Sequence, residues 1–366
     1  MPDASASSAS PPPPAQPRVS VVIPNWNGAA HLPECMDSLA QQTFADFETT
    51  VVDNGSKDES LALLAERYPW ASVIALDDNR GFSAAVNRGI EASRAEYVVL
   101  MNNDTRACPD WLERLVKAMD RHSQASFAAC RMLLYDPPHD IDSAGDSFSL
   151  FSGGKNIGAG EPADSHDRPA WVFGACAGAA IYRRSLFDDI GLFDEDFFLI
   201  YEDVDIDLRA QVAGHRCLYV PDAVIYHKRG ASTNLVDVRI TARAWRNMIW
   251  VAGKSLPPFL LLVWAVLFSL HLGWRTLMFV LRRLVPRFGS PPEDAATDAS
   301  EAVLRGSPWW RASTYARATR DGLAALPAKR RSECHRRRLG SLALARVLLR
   351  PVRPVESPAN ARAVQE

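Results

Sequence analysis

Apolar and polar positions along the first two thirds of the chain alternate between a period of two and a helical period, which predicts a strand-and-helix succession. A short apolar run over 19–23 is closed by Pro24. A helical pattern follows over about 30–42, then a second strand over 47–52. Ser56 with Glu59 has the spacing of a capping box, opening a helix with Leu61, Leu64 and Ala65 on one side. A third strand covers 73–76. Residues 81–93 read as a helix, 97–101 as a strand, and 109–121 as a helix with proline near its start. The order is that of an α/β fold, a mostly parallel sheet with helices on both faces. Further on, "WVFGACAGAAIYRR" reads as a pair of strands, and "YEDVDIDLRAQVAG" as a helix opening at about Glu202, with Val204, Leu208 and Val212 on one face and Gly214 as terminator.

Beyond residue 230 the texture changes. Residues 255–274, "SLPPFLLLVWAVLFSLHLGW", carry no formal charge over a length that can cross a bilayer, but Pro257, Pro258 and Gly273 interrupt them. They fit either a helix buried in a soluble domain or a membrane-associating one. Arginines and a lysine flank both ends, so a single crossing would export a basic tail against the positive-inside tendency; a re-entrant or in-plane helix is preferred to a span. The expected organisation is a disordered Pro, Ala and Ser tail over 1–17 without the features of a secretory signal, a catalytic domain over 18–235, an apolar helical region over 236–290 and a basic helical tail over 291–366.

Charge sharpens that division. Residues 1–230 hold 19 Lys and Arg against 34 Asp and Glu, and residues 231–366 hold 22 against 9, although the whole chain is only −2. An acidic front half argues against a nucleic-acid partner, and a basic back half beside an apolar stretch suits an anionic membrane surface. Six scattered cysteines with no C-x-x-C pair favour a reduced compartment and no structural zinc.

The predicted strands end in "PNWNG", "DNGSKD", "DDNRGFSAAVNRG" and "NNDT". Each alone is turn chemistry. Right-handed crossovers, however, bring four consecutive strand ends to one sheet edge, making a polar crevice where α/β sheets bind nucleotides. There is no G-x-G-x-x-G after the first strand and no P-loop motif.

Taken with "GLFDEDFFLIYEDVDIDLRAQVAGHRCLYVPDAVIYH", these segments resemble the inverting family 2 glycosyltransferases of GT-A fold, in particular their rhamnosyltransferase-like branch, over roughly 19–230. The resemblance implies a nucleotide-sugar donor, a divalent metal (Mg2+ or Mn2+) and transfer of a sugar to a hydroxyl with inversion. It places Asp53 on the N3–H of the donor's base, a group present in uracil and thymine but not cytosine, so the donor is a UDP- or dTDP-sugar. Pro24, Asn25, Asn27, Asn79, Gly81, Arg88, Asn102 and Asn103 are donor-side candidates; Arg88 fits a surface ion pair equally well. Asp104 resembles the last carboxylate of the D-x-D metal motif, whose first position is Asn102 here, and His227 matches a metal-ligating histidine of some relatives or a structural one. Asp203 falls at the catalytic base, with Trp171, Phe173, Gly174 and Glu202 toward the acceptor; for the aromatic pair, core packing is the competing role. The expected activity is transfer of a sugar, best L-rhamnose from dTDP-rhamnose, to a glycan or lipid-linked acceptor at the cytoplasmic face of the cell membrane, in cell-surface polysaccharide synthesis. A sugar-phosphate nucleotidyltransferase and a noncatalytic membrane scaffold are the alternatives.

Overall fold

The computed structural model describes residues 16–228, 238–284, 308–333 and 338–355. The tail expected over 1–17 lies almost wholly outside them. Strands β1 (Val19–Asn25), β2 (Phe47–Asp53), β3 (Ser72–Ala75) and β4 (Tyr97–Met101) run parallel in the order β4-β1-β2-β3, linked by α1 (Leu32–Ala40), α2 (Ser60–Arg67) and α3 (Phe82–Ala92). Their apolar runs are continuous because both faces are covered. Val19, Val21 and Ile23 point to one side, where Leu32 and Met36 of α1 pack, and Val22 points to the other, against Val86 and Ile90 of α3. Gly89 lets α3 approach β1, since a Cβ there would strike Val22.

The second half departs from the expected parallel arrangement. After β5 (Thr105–Ala107), α4 (Trp111–Arg121), β6 (Phe127–Leu134), β7 (Ile141–Ser143) and the separate hairpin β8 (Asp146–Ser149)–β9 (Gly153–Asn156), the chain lays down β10 (Ala170–Val172), β11 (Ala179–Arg183), α5 (Arg184–Ile190), α6 (Glu202–Ala213) and β12 (Cys217–His227). β11 is antiparallel to both β4 and β6, and β12 is antiparallel to β10 and β5, so the sheet is mixed. β10 and β11, expected as a pair, are separated by β12 and β6. Short apolar runs identify strands; their partners are a tertiary choice. The capping box also gives way. Ser56 is drawn into the loop after β1, accepting from the Asn27 N–H at 2.8 Å, and α2 starts only at Ser60 with Leu61 exposed.

The C-terminal region forms a third layer. Helix α7 (Val238–Ser255) ends before Pro257, α8 (Pro258–Leu284) begins at Pro258, and α9 (Pro308–Glu333), α10 (Ser341–Leu349) and β13 (Val352–Pro354) follow, the last pairing with β10 at the sheet edge. α7 and α9 run parallel, joined from Tyr315–Thr241 at 2.7 Å through Trp245–Thr319 at 3.0 Å to Trp250–Gly322 at 2.9 Å. Ile249, Trp250, Leu256, Leu260, Trp264 and Leu344 share one apolar cluster with Phe197, Val204 and Leu208, so these helices cover α6. Among the described residues, no helix is long and apolar enough to cross a membrane.

Candidate active site

The ends of β1, β2 and β4 meet in one hydrogen-bonded network. Asn103 Nδ2 donates to Asn25 Oδ1 at 2.7 Å, and Asn25 Nδ2 donates to Asp53 Oδ2 at 2.9 Å. Asp53 Oδ1 accepts the Ser56 N–H at 3.0 Å. Gly28 makes room, because a Cβ there would collide with both asparagines. Pro24 sits in register with Val52, immediately before this network, and Asn27 uses Oδ1 to hold the Lys57 N–H at 2.8 Å. At the end of β3, Asn79 Oδ1 accepts the Gly81 N–H at 2.9 Å, and Asn54 bridges both, donating to Asn79 Oδ1 at 3.1 Å and to the Gly81 carbonyl at 3.0 Å. Gly81, at φ 89°, lies so near Phe198 that a Cβ would sit 2.5 Å from its carbonyl oxygen. Asn54 was not singled out from sequence, although its place beside Asp53 in "VVDNGS" is the signal that could have found it.

Beside that network, Asp104 and His227 face each other. His227 Nε2 is 3.5 Å from Asp104 Oδ1, an oxygen buried without a hydrogen bond, while Nδ1 is held by Asp142 Oδ2 at 2.7 Å. Antiparallel pairing of β12 with β5 places His227 opposite Thr105, and the Lys228 N–H bonds the Asp104 carbonyl at 2.9 Å. Burial favours a neutral imidazole, yet the two carboxylates prevail and raise its pKa to about 9. A divalent cation held here would take the place of that imidazolium proton, using the spare lone pair of Asp104 Oδ1 and a ring nitrogen oriented from behind by Asp142, with water and phosphate as its other ligands. Among the described residues there is no group of three or more His, Cys, Asp or Glu that could hold a metal ion. Asn102 holds its strand end by donating its N–H to the Gly178 carbonyl at 2.8 Å.

The third component is the start of α6. Asp203 Oδ1 accepts its neighbour Val204's N–H at 2.8 Å, and burial raises its pKa against these backbone bonds. Glu202 is buried with Oε2 unbonded. Burial, then the charge of Asp203, pushes its pKa up to about 8. Both carboxyls of this adjacent pair are thus pushed toward the protonated form, so a single negative charge between them is favoured over two. Beneath them Asp146 and Asp207 are both pushed upward, first by burial and then by the charges of Asp203 and Asp146 respectively. Asp142 and Asp146 had one weak sequence signal, the aspartate-rich "HDIDSAGDS".

Other candidates are placed elsewhere. Trp171 is buried in the core, edge-on to His122 and covered by Arg216 3.8 Å from its ring centre, so it offers no face to a sugar. Phe173 stacks on Phe148. Gly174 is a close-approach glycine for the Asp207 carboxyl, with which a Cβ would overlap, rather than for an acceptor. Arg88 pairs with Glu91 at 2.8 Å on the surface of α3.

With this geometry in view, similarity to known proteins is decisive. The Glycosyl transferase family 2 model matches residues 20–191. The N-acetylglucosaminyl-diphospho-decaprenol L-rhamnosyltransferase of Mycobacterium tuberculosis is 30% identical over 240 residues, covering 58% of this chain and 76% of that protein. The chain belongs to glycosyl transferase family 2. A PGL/p-HBAD biosynthesis glycosyltransferase of Mycobacterium bovis is 29% identical over 236 residues, 63% of this chain and 84% of that one. Among solved structures, the mannosyltransferase PcManGT of Pyrobaculum calidifontis, in complex with GDP-Man and Mn2+, superposes with a TM-score of 0.51 at 20% identity over 88% of this chain and 89% of that one. GalNAc-T7 with UDP, GalNAc and Mn2+ gives a TM-score of 0.54 at 16% identity over 66% and 48%. The fold of this family 2 enzyme is thus the GT-A glycosyltransferase fold, and its class of activity is glycosyl transfer.

Proposed function

We propose that this glycosyltransferase is inverting and metal-dependent, transferring a sugar from a UDP- or dTDP-sugar, best dTDP-rhamnose, to a hydroxyl of a glycan or lipid-linked acceptor at the cytoplasmic membrane face. The observation that supports this reading is that the Asp53 network runs through Asn25 to Asn103, the residue before the Asp104–His227 pair, while a further buried carboxylate pair, Glu202 and Asp203, opens α6. Asp53 receives the base N3–H and so selects uracil or thymine. Asp104 and His227 would hold Mg2+ or Mn2+, whose charge supports departure of the nucleoside diphosphate. Asp203 takes the proton of the acceptor hydroxyl as its oxygen attacks the anomeric carbon. The choice of rhamnose and of a lipid-linked acceptor draws on the names of the mycobacterial relatives. Attachment to the membrane is supported by the exposed apolar side chains of Phe259, Leu262, Val266 and Leu270 on α8.

The chemistry is tested at Asp203. Asp203→Asn keeps the shape and the Val204 bond but cannot take a proton at neutral pH. Transfer is expected to fall by ~10²–10⁴-fold, with nucleoside diphosphate affinity near that of the unaltered enzyme. A folded Asp203→Asn enzyme with ordinary turnover would remove Asp203 from the reaction.

A further inference from the structure

The backbone leading into α6 takes an unusual path. Phe198, Ile200 and Tyr201 have φ of 66°, 71° and 73°, in the left-handed region that L side chains avoid, a β-branched isoleucine most of all. Such a run persists only where its surroundings fix it. The fixing group is on α7. Asn247, fully buried, donates from Nδ2 to the carbonyls of Phe197 at 3.0 Å, Leu199 at 3.2 Å and Ile200 at 2.7 Å. Its Oδ1 accepts from Arg246 Nε at 3.1 Å and Nη2 at 2.9 Å, which sets the amide orientation. Arg246 itself bonds the Asp196 carbonyl at 2.9 Å and stacks 4.0 Å from the Trp250 ring centre. On its far side, the same loop receives the Phe82 N–H on the Phe198 carbonyl at 2.6 Å. Tyr201 is the residue before Glu202, and its carbonyl accepts the first helical bond of α6, from the Asp205 N–H at 2.9 Å.

We propose that Asn247, oriented by Arg246, is a positioning residue for glycosyl transfer: it holds loop 197–201 in its left-handed path and so aims the Glu202–Asp203 pair, making α7 part of the catalytic apparatus. The inference rests on Asp203 as the base. If Asn247 lets go, Tyr201 can relax toward ordinary dihedrals, and that rotation reorients the first turn of α6. Asp53 and Asn25 are fixed by the sheet instead, so the base-binding part of the nucleotide side is spared, and the Gly81 turn, which packs on Phe198, keeps its own bonds to Asn54 and Asn79.

Asn247→Leu matches the side chain in size without its N–H groups, and Arg246→Met keeps the stem on Trp250 without the guanidinium. Full-length proteins are compared by hydrogen exchange, by UDP and dTDP binding with Mn2+, and by transfer rate at saturating donor. In Asn247→Leu, amides of residues 198–205 are expected to exchange at least tenfold faster while those of β1 and β4 do not change. Turnover should drop by on the order of 10²-fold, the usual effect of misplacing a reacting group by about 1 Å, with nucleotide affinity altered by less than about threefold. Arg246→Met should show the same split at roughly a tenth of the size, and it carries the test alone if Asn247→Leu does not fold. Unchanged exchange over 198–205, or faster exchange with full turnover, overturns the proposal. Failure of the base assignment shows separately, as ordinary turnover in Asp203→Asn.

Discussion

In the proposed donor site, Asp53 is the side chain that would decide a substrate class. Its two oxygens already take the Asn25 amide and the Ser56 N–H, but a carboxylate has about four acceptor positions, so a base N3–H can be added without breaking either bond. Removing the carboxyl in Asp53→Ala is expected to weaken UDP and dTDP binding by about 1.5–3 kcal/mol, the range for a hydrogen bond to a charged group. CDP, whose base lacks the N3–H, should bind the two proteins alike. Calorimetric titration of the three nucleotides checks the pattern, and an equal loss for CDP would mean that Asp53 only shapes the loop. The positions of Asp53, Asp104 and Asp203 were legible in the sequence, because they follow strands or open a helix in segments whose local pattern is strong, whereas the roles expected of them come from the family resemblance. Asp142 and Asn247 were not, since each acts through a contact across the fold, to His227 and to loop 197–201, and no local spacing encodes that.

At the scale of elements, the junction of α6, α7 and α9 is electrostatic as well as apolar. Lys254 on α7 reaches Asp194 at 2.8 Å and Asp205 of α6 at 3.0 Å. Lys329 on α9 reaches the same Asp194 at 2.8 Å, and Arg209 pairs with Asp205 at 2.8 Å. Burial works to raise the pKa of Asp194, but Lys254 and then Lys329 outweigh it and hold the carboxyl well below its usual 3.8. A depressed carboxylate contributes stability that is fully present above its unfolded pKa and lost as pH falls through the folded value. Asp194→Asn should thus cost about 3 kcal/mol at pH 7, where it takes one carboxylate from each of Lys254 and Lys329 and leaves them Asp205 and Asp196, and the gap to the unaltered protein should narrow below pH 3.8. Urea denaturation at pH 7 and at pH 3 measures both, and a gap of equal size at the two would show that the network does not depend on the Asp194 charge. Elements were read well where one period dominated, as in β1, α4 and α6. They were misread where tertiary contacts overrode a local signal: Ser56 serves the neighbouring loop instead of a helix cap, and β10 pairs with β12 and β13 instead of β11.

For the whole molecule, the third layer changes how membrane attachment has to be tested. Cutting the chain at residue 255 would strip Leu256, Leu260 and Trp264 from the cluster over α6 and remove Lys329 from Asp194, so a loss of sedimentation could not be separated from a loss of fold. The apolar stretch noted in the sequence has two unlike faces. Leu260 and Trp264 are buried against the protein, whereas Phe259, Leu262, Val266, Leu270 and Trp274 form a stripe at helical spacing, each more than half exposed. A helix with one covered and one bare apolar face, in a half of the chain carrying an excess of basic residues, matches an in-plane attachment to anionic lipid. Full-length protein is therefore expected to sediment with vesicles containing anionic phospholipid. Replacing Leu262, Val266 and Leu270 together by glutamine removes three side chains worth about 1.5–3 kcal/mol each when buried, on the order of a thousandfold or more in partitioning. Because these residues already face outward, melting temperature and UDP binding should stay unchanged. Equal sedimentation of the triple variant would move the attachment away from α8, and absence of vesicle binding by the unaltered protein would end the membrane reading altogether.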